Sequence, residues 1–299
     1  MFKSTRIKRP RGHVTDTQCR PDIVAAFDWA PDDSDITIWP CIRLAGEKAS
    51  RGKSEGYQEK QAISYLHYLL LSRPDLHVAQ GLLTSGDEVT FLFGIEGCGV
   101  RSFAVCWSDD QLHSLMYAFV YRLYEPGSFA DPSYVNTAPN WEKNLTTYTV
   151  RIMEKTGVGV ETAKECPDFQ PIYASTPFVT RTHILLNPHS RDTVDSKPLT
   201  ILKDQLCRRE TRFNEHAVLT HIHTAEKMPG VVEAVYYESI QIPLFVPHSR
   251  QRERRRIGLS QFGRPFSSIS TLQQMLEIVF DVLELGYGRT TRAMFKGGP

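Results

Sequence analysis

Short β-rich runs, interrupted by only a few stretches of helical period, constrain the fold of this chain more than any other feature of its sequence. From Tyr57 to Leu71 the apolar residues Ala62, Tyr65, Leu66, Leu69 and Leu70 recur at helical spacing. Pro74 ends that run, because it neither donates a backbone hydrogen bond nor lets its predecessor stay helical. A second stripe, Leu112, Leu115, Met116, Phe119, Val120 and Leu123, follows Ser108-Asp109-Asp110-Gln111, which reads as a capping box. A third, Leu272, Met275, Leu276, Val279, Phe280 and Leu283, follows the similar box Ser270-Thr271-Leu272-Gln273, and Leu206 to Ile222 also reads as a helix. The other ordered stretches read as strands: Ile23 to Phe27, Ile36 to Leu44, Val89 to Ile95, Arg101 to Trp107, Leu145 to Met153, Phe178 to Leu186, Pro198 to Lys203, Val231 to Tyr237, Ile240 to Val246 and Arg255 to Phe262. Glu96-Gly97-Cys98-Gly99 reads as a hairpin turn and Gly46 to Gly56 as a loop. This mixture predicts an α+β protein.

Pro, Ser, Asn and Asp crowd the stretch from Pro126 to Trp141, and Thr156 to Pro171 is polar and irregular, so a boundary falls between two parts. The expected organisation is a loose basic tail over 1–19, an α/β domain over 20–150, a linker over 151–170, a second domain over 171–285 and a divergent tail over 286–299. Hydrophobic residues at 41% and charged residues at 23% are a globular composition, and a net charge of +1 creates no field that would draw nucleic acid. No segment nears eighteen apolar residues in a row, which argues against a membrane span. MFKSTRIKRPRG lacks an apolar segment after its basic residues, so it is no secretory signal, and the triplet Asn144-Leu145-Thr146 implies no glycan. The six cysteines are scattered without a C-x-x-C pair, as expected for reduced thiols in an intracellular protein of the cytoplasm or nucleus.

Chemistry enters at Leu199-Thr200-Ile201-Leu202-Lys203, an apolar strand ending in a lysine, with Glu215 twelve positions later on the following helix. A strand lysine held by a helix glutamate is the arrangement that positions a cation against nucleotide phosphates. Taken singly, each residue is most simply a solvated surface group. The segments that follow change the weighting: Met228-Pro229-Gly230-Val231-Val232, then Arg255 to Phe262 with Gly263, then the long stripe from Leu272. With IVAAFDW, QAISYLHYLL, RPDLHVAQGLL, LTILKD, LTHIH, MPGVV and QFGRPFSSISTLQQMLEIVFDVLE, the chain resembles the fungal-type protein kinase family from about Arg20 to Leu285. The resemblance implies a protein-kinase-like small lobe, a hinge and the first long helix of the large lobe. It also implies a serine/threonine protein kinase that uses ATP and magnesium, with Lys203 and Glu215 as the nucleotide-site pair and a protein substrate or partner that the sequence does not identify.

Two departures bear on that expectation. Pro177 to His183, where the glycine-rich loop belongs, contains no glycine, and backbone amides approach phosphate closely only where side chains are absent. The family's catalytic loop and metal-binding aspartate have no counterpart, because the last aspartate is Asp281 and no histidine follows His248. The expectation is therefore a catalytically incomplete chain, a pseudokinase-like scaffold or binding module. The exposed side of the Leu272 to Leu283 stripe would then be an apolar patch.

A rival reading lies upstream. Asp22 follows Pro21, Glu47 lies twenty-five positions later, and Gln61 and Tyr65 share a helix face. Nucleases of the PD-(D/E)xK type hold magnesium between such an Asp and Glu and carry a lysine two residues after the Glu. Here that position is Ala49, and the lysine is displaced to Lys48, on the opposite side of a strand. A nuclease-like fold with or without magnesium-dependent activity is the alternative; turn and surface acids are the plainer one. The arginine run within Gln251 to Arg256 reads as a solvated loop, and His221 and His223 lack a third ligand at metal-site spacing.

Overall fold

Along strand β2 (Ile23–Ala26), successive side chains are buried on opposite faces, and each face finds a different helix. Val24 and Ala26 pack with Ala62, Tyr65, Leu66, Leu69 and Leu70 of α1 (Glu55–Ser72). Ala25 packs instead with Leu112, Phe119 and Leu123 of α2 (Leu112–Tyr124). The computed structural model describes residues 2–4, 9–13, 19–26, 37–49, 55–155, 161–175, 177–178, 180–188, 193–194, 197–210, 214–224, 231–240, 252–261, 270–273 and 275–276. Within them the chain is α+β, as expected.

The first sheet has six strands in chain order: β1 (Phe2–Ser4), β2, β3 (Ile42–Lys48), β4 (Val78–Thr84), β5 (Glu88–Ile95) and β6 (Gly99–Cys106). Neighbours are antiparallel except β3 and β4, which run parallel because α1 carries the chain back between them. On β5 a Cβ at Gly94 would lie 2.9 Å from Leu66 Cβ, so the missing side chain lets α1 sit close on the sheet. The hairpin between β5 and β6 turns at Gly97 with φ of +69°, a conformation glycine adopts without strain.

The second sheet has seven strands in the order β14-β15-β13-β10-β9-β8-β7, all antiparallel. These are β7 (Tyr134–Asn140), β8 (Leu145–Lys155), β9 (Glu161–Ser175), β10 (Thr182–Leu186), β13 (Ile201–Arg208), β14 (Ala234–Ile240) and β15 (Arg252–Leu259). A two-stranded ribbon, β11 (Thr193–Val194) with β12 (Lys197–Pro198), lies between β10 and β13 in the chain, and α3 (Glu215–Ile222) lies between β13 and β14. Tyr148, Val150, Ile152, Phe169, Leu185 and Leu202 centre the second core.

Several expectations are corrected. Phe2–Ser4 is strand β1 and not part of a loose tail. Trp39–Cys41 is a 3-10 turn around Pro40, so the second strand begins at Ile42 and takes Gly46 and Glu47 out of the expected loop. Residues 151–155 and 161–170 are no linker: they belong to β8 and β9, which pair with each other. Leu206, Cys207 and Arg208 are strand and not helix, because β13 is hydrogen-bonded to neighbours on both sides, and that pairing overrides the local periodicity. At Ser108-Asp109-Asp110-Gln111 no capping box closes; Asp109 Oδ1 accepts from Gln111 N at 2.8 Å, and Gln111 itself is the N-cap of α2. Leu272, Gln273, Met275 and Leu276 are helical; the rest of the Leu272 to Leu283 stripe, 241–251 and 286–299 lie outside the described residues.

Candidate functional site

Strand β13 puts Leu202, Asp204 and Leu206 on one face and Ile201, Lys203 and Gln205 on the other. The first face turns to the six-stranded sheet, where Leu206 packs with Val78 and Ile95. On the other face Lys203, flanked in register by Ile184 and Ile257, places Nζ 2.5 Å from Glu215 Oε2. The sequence-derived pair is thus brought together. Its side chains keep 21% and 38% of their surface exposed, so the pair borders solvent. Glu215 owes its place to Asn214, whose side chain caps α3 by accepting from His216 N and Ala217 N. The His216 ring stacks on Tyr237 at 4.4 Å and ties the same turn of helix to β14. A lysine ammonium has three donors, so one carboxylate does not exhaust it, and an anionic group beside Lys203 would find a charge already oriented.

The turn between β9 and β10 does not lean over that pair. Pro177 O accepts from Gly97 N at 2.8 Å, and the Phe178 ring meets His67 of α1 edge-on at 5.5 Å. Arg181 is buried, 2.5 Å from Glu96 Oε2 on the β5–β6 hairpin.

The upstream acids lie at the ends of paired strands. Asp22 precedes β2 and accepts from Lys48 N at 3.2 Å, while Glu47 is buried on β3 beneath α1. The Tyr65 hydroxyl lies 3.0 Å from Glu47 Oε2 and accepts from Gln61 Nε2 at 2.6 Å. Burial first, and then the neighbouring Glu47, push the Tyr65 hydroxyl far above the usual phenol range, so it stays protonated. Lys48 is exposed, Ala49 stands where the PD-(D/E)xK lysine would, and no group of three potential metal ligands forms among the described residues.

The densest chemistry was not legible in the sequence. Arg254 and Arg256, read as solvated, are buried on β15 against Asp204 and Asp131. Arg256 bonds both oxygens of Asp204, at 2.7 and 2.8 Å, and Tyr134 donates to the same carboxylate at 2.9 Å. Burial alone would raise the Asp204 carboxyl, but Arg256 and then Arg254 hold it well below the ordinary carboxylate range. Glu96 is lowered likewise by His77, at 2.7 Å, and Arg181. The only sequence signal for this network was the continuity of the arginine run with Ile257-Gly258-Leu259, which makes one strand of both.

These contacts centre on the end of α1. The helix has no basic residue in its last turn, and its carbonyls there lack intrahelical partners. The second sheet supplies partners for them, His183 Nε2 to Leu71 O at 3.0 Å and Tyr148 to Ser72 O at 3.1 Å. It does the same for the carbonyls just after the helix, Arg254 to Pro74 O at 2.7 Å with Arg181 on Arg73 O and Leu76 O. Two guanidinium groups at a helix C-terminus also complement its dipole. None of the described helices is long and apolar enough to cross a membrane. Comparison with protein-family models, curated proteins and solved structures returns no match.

Proposed function

We propose that residues 171–285 are the small lobe, hinge and first long large-lobe helix of a fungal-type protein kinase, with Lys203 as the phosphate-binding cation and Glu215 as the residue that positions it. The observation that carries this reading is the Lys203–Glu215 pair, set between a strand and the helix that follows it. In support, β14 and β15 come next in the chain and join β13 in one antiparallel sheet, where the resemblance expects the fourth and fifth strands. The residues fit an anionic ligand at Lys203, and ATP would supply there the phosphoryl group that kinases transfer. They do not fit a phosphate held by the β9–β10 turn, whose Pro177, Phe178 and Arg181 all engage the first half. The role assigned to these residues is nucleotide binding. ATP with magnesium at about 100 times its Kd adds about 2.7 kcal/mol to the folded state. The parent chain should melt several degrees higher in its presence and Lys203→Ala should not; equal shifts in both would sink the assignment.

A second reading concerns residues 20–150, as a nuclease-like α/β scaffold. It is favoured by the side-by-side placement of Asp22 and Glu47 at the ends of paired strands, with Gln61 and Tyr65 on the helix above. With Tyr65 already on Glu47 and Ala49 in place of lysine, we expect no hydrolysis. Magnesium-dependent DNA cleavage that disappears in Asp22→Ala would show otherwise.

A further inference from the structure

Residues directly opposite one another in an antiparallel sheet point to the same face, so register lays out what surrounds Lys203. Across five strands its row reads Tyr173, Ile184, Lys203, Ile257 and Tyr237. One end of that row is closed. The first turn of α3 brings Glu215 to Lys203 and stacks His216 on Tyr237, and Ile257, which lies between them, is only 1% exposed. The other end is open: Ile184 is half-buried and Tyr173 is 48% exposed. A group held at Lys203 therefore has one direction in which to extend along the row, over Ile184 to Tyr173. At the usual strand spacing that second strand lies about 10 Å away. An extended nucleoside diphosphate covers such a span from its last phosphate to its base. Beside this path the next row carries Ser175, Thr182 and Gln205, whose side chains are able to hydrogen-bond a sugar.

We propose that Tyr173 is the base platform of the Lys203 site. A nucleotide lies across β13, β10 and β9, with its phosphates at Lys203, its sugar over Ile184 and its base stacked on the Tyr173 ring. The two ends of the path set the ligand class: a cation at one end, a flat aromatic face at the other and an apolar side chain between them. An inorganic anion engages only the first end. A nucleotide engages both, and its base adds affinity through the stack. The inference rests on the nucleotide reading of the Lys203–Glu215 pair.

The test titrates the full chain with ADP and, separately, with pyrophosphate, each with magnesium, in a calorimeter. The parent should bind ADP about tenfold or more tighter than pyrophosphate, which is the scale of one stacked base. Tyr173→Leu keeps an apolar side chain on the exposed strand position; it should bring ADP down to the pyrophosphate level and leave pyrophosphate unchanged. Lys203→Ala should weaken both ligands. Tyr173→Trp should keep the preference for ADP, and its added emission should be quenched by ADP and not by pyrophosphate. Equal binding of the two ligands by the parent overturns the platform and leaves the phosphate site at Lys203 standing. So does a preference for ADP that survives in Tyr173→Leu. Equal losses of ADP and pyrophosphate in Tyr173→Leu also overturn it, because they mark a residue that only supports the strand. No binding of either ligand by the parent overturns the nucleotide reading, and the platform with it.

Discussion

At His183 the two ring nitrogens have different partners, and the partners fix the proton. Nε2 faces the Leu71 carbonyl at 3.0 Å, which can only accept, and Nδ1 faces Arg181 Nε at 3.2 Å, which can only donate. The ring is therefore neutral with its proton on Nε2. Burial first, and then Arg181, lower its pKa to about 3. Since the folded value lies below the unfolded value of about 6.5, the unfolded chain takes the proton first. The contribution of His183 is thus complete above pH 6.5 and is lost as pH falls toward 3. By pH 4 the loss should be on the order of 3 kcal/mol. His183→Gln, whose amide can give to Leu71 and accept from Arg181, should show a clearly shallower fall between pH 6.5 and 4 in urea-unfolding stability. Equal slopes would contradict the assigned protonation. Nothing in the sequence marked this residue, because burial of a histidine next to an arginine depends on strands far apart in the chain. Lys203 and Glu215 were legible for the opposite reason: strand, helix and the spacing between them are local.

Among the elements, α3 is the most exposed to change. It spans eight residues, buries only Leu219 and relies on one side-chain cap, Asn214. Short helices carry little stability of their own. Asn214→Ala should cost about 1 kcal/mol and, by fraying the first turn, let Glu215 drift from Lys203. The thermal shift caused by ATP should shrink while the far-UV spectrum stays nearly unchanged; an undiminished shift would mean that Glu215 does not position the lysine. The helix stripes of α1 and α2 were readable because amphipathic period and burial coincide there. β4 and β9 were not, since Val78–Thr84 follows directly on a Pro-Asp turn and Glu161–Ser175 carries two prolines and a polar composition. β15 was misplaced by a few residues because its arginines look like surface, and it takes the partners Asp131 and Asp204 to explain why they are not.

Across the whole molecule the two sheets meet through the buried Arg181–Glu96 pair as well as through Leu206 against Val78 and Ile95. Within the second sheet, β13 and β15 are tied to each other by charge. Asp204 answers two buried arginines, and removing one partner of a buried ion pair typically costs about 3–5 kcal/mol. Asp204→Ala should lower the urea midpoint by that order while leaving a single transition, seen together by tryptophan fluorescence and circular dichroism. Two separated transitions, with only one displaced, would mean that the halves unfold independently.

The carbonyls at the end of α1 also set a timetable. Arg254 lies 180 residues beyond Pro74, the carbonyl it satisfies. At about 5–20 residues per second, a ribosome needs roughly ten to forty seconds to reach the arginine after it has made the proline. Throughout that interval the emerging six-stranded sheet presents an uncapped helix end and a vacant basic socket's worth of carbonyls to the cell. Nascent chains of this protein are thus obliged to wait, with that helix end open, for a strand made long afterwards.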